Sequence, residues 1–541
     1  MRRSLTWTVV LALVLVMAMS SLAFGANKSP KGQIVVGQLG DVETLNPLLS
    51  EDNAGTMILN GIFSQLIRVD DKGNLVPDLA TQVPTVQNGG ISKDGLVYTF
   101  HLRKGVKFHD GQPLTAEDVK FTWETLMNDK VQVVSRDGFD KVKKFEILDP
   151  YTVRMTLSEP YAPFLVTWAQ TAGDIVPKHI LGKVKPEDIT KGGDFSRHPI
   201  GSGPFKLKEW KEASYIVLEA NKDYFGKGPY LGKVIFKVVP DTNTLLTQVK
   251  TGEVDVVNNL QPKHYAQVKD DPRLNVQLNP AATYLHMTFN LKNPIFQDKR
   301  VRQALSYALP RDLIVKSILN GIGQPAAAST SPVLWAYDPT VKPYPYDLKK
   351  ANELLDEAGW KMGPDGIRVK DGKPLSFEIS TNSENQTRLQ IEQVAQQEWK
   401  KIGVDLKIKN YEATTLFGDV LEQMKFDLIM FGWVTGSDPD EFTLYHSSQI
   451  PTPDHQVGQN YMNYKNPEMD RLLEEGQKTN DIKKRKEIYK KVQRILAEDQ
   501  PMLYVYYYVN VDVAPKNLEN WRPAPFTNTM TWNISEWKLK K

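Results

Sequence analysis

Apolar residues recur along this chain at two spacings, and the spacing sorts most of it into strands and helices. Ile34-Val35-Val36-Gly37 predicts a first strand, followed by a polar loop and a helix over about 54–66. Leu96, Tyr98, Phe100 and Leu102 alternate with Val97, Thr99, His101 and Arg103, the period of a half-buried strand. Asp94-Gly95, Lys104-Gly105 and Asp110-Gly111 supply turns around it. Thr115 with Asp118 three residues on resembles a capping box and predicts a helix carrying Val119, Trp123 and Leu126. A second hairpin is predicted over 145–157, with Asp149-Pro150 at its turn. Residues 67–195 thus read as a strand-rich subdomain.

Gly201-Ser202-Gly203-Pro204 reopens the first pattern. Strands at 205–207, 215–218 and 234–239 lead to a helix over about 242–250 and a strand at 254–256. That order predicts a parallel pair joined by a right-handed crossover. Helices are predicted at 299–308, at 348–358 with Gly359 just past its end, and at 386–402, which buries Ile391, Val394, Ala395 and Trp399 before stopping at Gly403. Strands at 376–379 and 404–408 and a short helix over 415–424 precede Phe426. Helices at 467–477 and 481–498 and a strand at 502–509 complete an α/β pattern.

Between them lies the stretch around which the chain is organised. Phe426-Asp427-Leu428-Ile429-Met430-Phe431-Gly432-Trp433 is an apolar run without helical spacing, as expected of a strand buried on both faces. It stops at Val434-Thr435-Gly436-Ser437-Asp438-Pro439-Asp440. This sets an aromatic plate and two carboxylates beyond the carboxyl end of a central strand, where ligands of open α/β sheets bind. The bland alternative makes Trp433 core and the two acids a solvated turn.

Composition narrows the picture. Met1-Arg2-Arg3, an apolar run from Trp7 to Met19 and small residues from Ser20 to Gly25 predict an export leader cut before Ala26. The run falls short of the ~20 apolar residues a spanning helix needs. Cysteine is absent, which excludes disulfides, thiolate metal sites, a Cys nucleophile and a lipid-anchored N-terminus. A soluble periplasmic protein is the expectation. Loss of Arg2 and Arg3 takes the formal charge from +3 to +1, so nothing points to nucleic acid. Removing 25 of 541 residues leaves 516, too many for one core, and predicts two large lobes or three domains.

Asp94 to Gly111, running on to Leu114-Thr115-Ala116-Glu117-Asp118-Val119, resembles the signature of the family 5 extracellular solute-binding proteins, the peptide-binding components of ABC importers. Gly201-Ser202-Gly203-Pro204, Gly252-Glu253-Val254-Asp255, Val301-Arg302-Gln303-Ala304-Leu305, Tyr346-Asp347, Leu354-Leu355 and Ala358-Gly359-Trp360 extend the likeness over nearly the whole mature chain. The resemblance implies a two-lobed, type II periplasmic-binding-protein fold with two hinge strands. Lobe I would comprise 26–66, 200–283 and 504–541, with 67–199 inserted as an extra subdomain, and lobe II 284–503. The hinge would be crossed near Tyr284–Asn290 and Leu503–Tyr508.

For the site, the resemblance implies ligand contacts at Glu51 and Asn53, at Tyr284 by the hinge, and at Gly432, Trp433, Asp438 and Asp440. The acid that holds a peptide's amino terminus in the family lies about three residues past the tryptophan; here that position is Gly436. Either Asp438 takes the role or this member clamps no ammonium. No cofactor, metal or catalytic residue is expected. The implied partners are a peptide ligand and membrane permease subunits, with the binding protein itself a monomer. Oligosaccharide is the alternative ligand, since 20 Phe, 11 Trp and 21 Tyr could supply stacking platforms. A secreted hydrolase finds no support, because Gly201-Ser202-Gly203 is not a nucleophile elbow and the eight histidines are scattered. His101 and His109 read as surface groups of a hairpin.

Overall fold

The computed structural model describes residues 32–50, 52–452, 458–526 and 530–540. The expected leader, 1–25, and Glu51 lie outside the described residues. One mixed sheet runs through the molecule. Its first strand, β1 (Gln33–Gln38), is followed by α1 (Asn53–Ile62), which begins where the Asp52 carboxylate accepts the Gly55 N–H. The inserted segment then forms small sheets, including the three-stranded one of Val97–His101, Thr152–Leu157 and Val142–Asp149. Against the second of its hairpins packs α2 (Ala116–Leu126), whose Thr115/Asp118 capping box is present. Beyond 157 the insert is not strand-rich as expected. Residues 164–197 fold as short helical turns, since Pro163, Pro177 and Pro186 interrupt any longer element.

The main sheet resumes with β2 (Phe205–Lys211), β3 (Tyr215–Ala220) and β4 (Lys233–Val238). Next come α3 (Thr242–Thr251), β5 (Val256–Leu260) and the long β6 (Leu274–Phe289). In lobe II follow α4 (Lys299–Tyr307), α5 (Leu348–Glu357), β7 (Ser376–Ser380), α6 (Gln386–Lys400), β8 (Asp405–Ile408) and β9 (Leu428–Val434). The chain ends through α7 (Pro467–Lys478), α8 (Ile482–Asp499) and β10 (Met502–Pro515). Across the sheet the order is β8-β7-β9-β6-β10-β5-β1-β4-β3-β2. β4 and β5 are parallel, as expected of a strand–helix–strand unit, but they do not pair. β1 lies between them, parallel to both, because the N-terminal strand takes the slot.

β6 and β10 belong to both lobes. They pair over 274–280 with 509–515 and again over 284–288 with 502–507, with the register breaking between Pro280 and Tyr284. Pro280 has no N–H to give the ladder, so the register breaks there. Beyond the break, Tyr504–Tyr507 pair with β6 over Tyr284–His286. Separate cores flank the crossing: Ile34, Ile58, Phe100, Trp168 and Trp537 on one side, Leu285, Phe377, Ile391 and Trp399 on the other. Each large apolar side chain buried there contributes on the order of 1.5–3 kcal/mol.

The Gly201-Ser202-Gly203 turn has a structural cause. A Cβ on Gly201 would lie 2.0 Å from the Ile62 carbonyl oxygen at the end of α1, and the Gly203 N–H donates to that same oxygen at 2.8 Å. His109 is not the free surface group expected. Its Nε2–H donates to the Gly203 carbonyl at 3.1 Å, its Nδ1 accepts the Gly201 N–H at 3.3 Å, and burial pushes its pKa down to about 4.

Candidate functional site: the cleft beyond β9

β9 lies between β7, to which it is parallel, and β6, to which it is antiparallel; Leu428 to Phe431 are buried and Gly432 and Trp433 only half-buried. Full burial ends at Phe431, before the strand does, so the indole emerges near the strand's carboxyl end. There it borders a cavity of about 350 Å³, within the size range of small-ligand pockets. Gln170 of the insert faces Leu334, Trp433, Asp438, Asp440 and Glu441 of lobe II across it, so the cavity lies on the seam.

The loop after β9 is fixed from within. Thr435 donates through its N–H and its hydroxyl to the Ala282 carbonyl, at 2.8 and 2.9 Å. Asp438 Oδ1 accepts the Asp440 N–H at 2.9 Å, and Asp440 Oδ1 accepts the Phe442 N–H at 3.2 Å. Both Asp438 oxygens are also taken by Arg485 of α8, whose Nη1 and Nη2 donate at 2.5 and 2.6 Å. Asp438, the residue for which the sequence left the ammonium role open, is thus paired with an arginine, and the pair fastens the loop. Asp440 accepts from Gln477 Nε2 at 2.9 Å and from the Tyr489 hydroxyl at 3.4 Å. Burial, then the nearby Asp438 charge, pushes its carboxyl up to about 6, and burial pushes Glu441 up to about 8. Glu441 Oε2 has no hydrogen-bond partner. Among the described residues neither carboxyl forms a direct ion pair; the Arg485 charge acts on Asp440.

The remaining expected residues are placed less uniformly. Tyr284 pairs with Trp433 across the sheet but is wholly buried among Tyr445, Tyr504 and Tyr507, behind the cavity wall and not on it. Its face of the sheet is covered by α7, α8 and the segment around Ala336, which periodicity alone could not reveal. Asn53 is exposed at the start of α1 and is not among the lining residues. Gly432 faces the opposite side from Trp433. A Cβ there would sit 3.2 Å from the Tyr508 hydroxyl and 3.3 Å from Arg388 Nη2. His286 is buried against Phe431, and burial holds its pKa at about 3.

Arg388 was missed from sequence. It lies in the first turn of α6, at the carboxyl end of β7, and its Nη1 donates to Asn382 at 2.5 Å. Among the described residues it has no carboxylate partner, although Glu392 is one turn away with its carboxyl pushed up to about 7 by burial. A signal was available: a cation in a helix's first turn opposes the macrodipole and so needs a reason. No group of three His, Asp or Glu side chains among the described residues could hold a metal ion. No helix among them is long and apolar enough to cross a membrane.

A profile of bacterial extracellular solute-binding proteins, family 5 (middle region), matches residues 74–452. The chain belongs to that family. The oligopeptide-binding protein AppA of Bacillus subtilis is 36% identical over the full length of both chains. The structure of AppA from Bacillus subtilis in complex with a nonapeptide superposes with a TM-score of 0.80 at 37% identity, covering 95% of this chain and all of that one. NikZ of Campylobacter jejuni in complex with Ni(L-His) gives a TM-score of 0.81 at 32% identity, with 94% and 100% covered. DppA of Helicobacter pylori with the peptide STSA gives 0.78 at 28% identity, with 94% and 98% covered. Among family members of this kind the work is binding, and the two-lobed fold with its extra subdomain is shared.

Proposed function

We propose that this chain captures peptides between its lobes and hands them to the permease of an ABC importer in the envelope, after export through its leader. The observation that carries the reading is the asymmetry of the cleft tip. Asp440 and Glu441, which form no direct ion pair among the described residues, wall the cavity on the Trp433 side, and the Arg388 guanidinium, with no carboxylate partner among the described residues, stands beside Gly432 on the other face of the strand. A zwitterionic chain supplies both missing charges. Its amino end would satisfy Asp440 and Glu441, its carboxylate Arg388, and its backbone would stack beside the indole. The peptide complexes of AppA and DppA support this choice of ligand. A bound chain touches both lobes and so shifts the population towards the closed form.

Mass spectrometry of ligand released from the purified protein, followed by calorimetry with peptides and with cello- and manno-oligosaccharides, tests the reading. Trp433→Ala should weaken the best peptide at least tenfold. Tight sugar binding with no measurable peptide binding would overturn the proposal.

A further inference from the structure

The seam between the lobes is bridged a second time, by contacts that involve neither hinge strand. The Ala162 N–H of the insert donates to the Gln477 carbonyl at the end of α7, at 2.6 Å. Gly95, in a turn of the insert at φ +72°, packs so tightly on Asn480 that a Cβ would lie 2.1 Å from its Nδ2. Gln477 and Asn480 bracket the turn between α7 and α8. The same turn is tied to the ligand-facing loop: Gln477 Nε2 donates to Asp440, and Arg485 Nε donates to the Gly476 carbonyl at 2.8 Å while its fork holds Asp438.

Arg485 thus stands between the two. Its side chain is 2% exposed, and its guanidinium lies 5.7 Å from the Trp335 ring centroid and 5.3 Å from that of Tyr489. On the insert's side, Tyr98 is held above its ordinary pKa by burial, offset in part by the Arg485 charge. Tyr161 is raised by burial and by Asp440. One path from the cavity wall to the opposite lobe runs through Gln477 and Arg485.

We propose that Arg485 is a positioning residue that couples the cavity wall to this second seam, so that filling the cavity and latching the lobes are a single event. The inference rests on the peptide-capture reading and adds how occupancy is transmitted. A ligand that orders Asp438–Glu441 orders the α7–α8 turn, and that turn presents the Gln477 carbonyl to Ala162. Only a planar fork with a third donor can hold Asp438 and Gly476 together; a lysine at this position cannot.

Hydrogen exchange of the segment containing Ala162, read with peptide calorimetry on wild type and Arg485→Lys, is the test. In wild type, saturating peptide should slow exchange of the Ala162 amide at least tenfold. In Arg485→Lys that slowing should vanish and the dissociation constant rise at least tenfold, with α4–α6 protected as before. A variant that keeps both the slowing and an affinity within twofold of wild type overturns the proposal. Should Arg485→Lys fail to fold, Asn480→Ala, which lies outside the cavity, replaces it. There the slowing should fall at least threefold, and an unchanged value overturns the proposal. If wild type binds no peptide, the capture reading fails by itself. The latch is then judged from ligand-free exchange, where a rate at Ala162 equal in variant and wild type refutes it.

Discussion

Replacing Glu441 by glutamine should make the protein more stable at alkaline pH and leave it nearly unchanged at acid pH. Glu441 is 6% exposed, its Oε2 has no partner, and burial raises its pKa from 4.5 to about 8. Below pH 4.5 the folded and unfolded chains both hold this proton, and the group adds no pH dependence. Between 4.5 and 8 the unfolded chain has released it and the folded chain keeps it. Stability then falls by about 1.4 kcal/mol per pH unit. Above 8 the folded state carries a buried carboxylate, and the accumulated loss reaches about 5 kcal/mol as an upper value. Relaxation and water entry reduce such penalties, so a gain of roughly 2–5 kcal/mol for Glu441→Gln at pH 9 is expected, shrinking towards zero at pH 5. Asp440, also raised, is common to both proteins; its charge adds to the Glu441 shift, but burial is the larger cause. Urea unfolding of both proteins at pH 5, 7 and 9, followed by circular dichroism, gives the three differences directly. A difference that stays flat across the range would show that Glu441 ionises in the folded state as it does in water, and the argument from burial would fail.

Arg388→Gln should weaken peptides with a free carboxyl terminus at least tenfold and leave their C-terminal amides unaffected, by calorimetry. Equal losses for both would remove Arg388 from carboxylate recognition. Asp438→Asn leaves the Arg485 guanidinium buried without its counter-charge and should lower unfolding free energy by about 3–5 kcal/mol. An unchanged urea midpoint would mean the pair does not fasten the loop.

The sequence by itself determined most of the elements and singled out the loop after β9. Period-two runs, the Thr115/Asp118 cap and the glycines closing helices at Gly359 and Gly403 are local devices, and each acts through residues within a few positions of itself. The apolar run ending at Trp433 likewise carries its own stop signal. What local spacing could not settle is who meets whom. Arg485, 47 residues beyond Asp438, takes that carboxylate, and β1 enters between β4 and β5 from the far end of the chain. Tyr284 looked like a cleft residue because it lies at the hinge, but its face of the sheet is covered by helices from 467–499. Charge pairing and burial are settled by contacts distant in sequence, and those contacts exist only once the chain has folded.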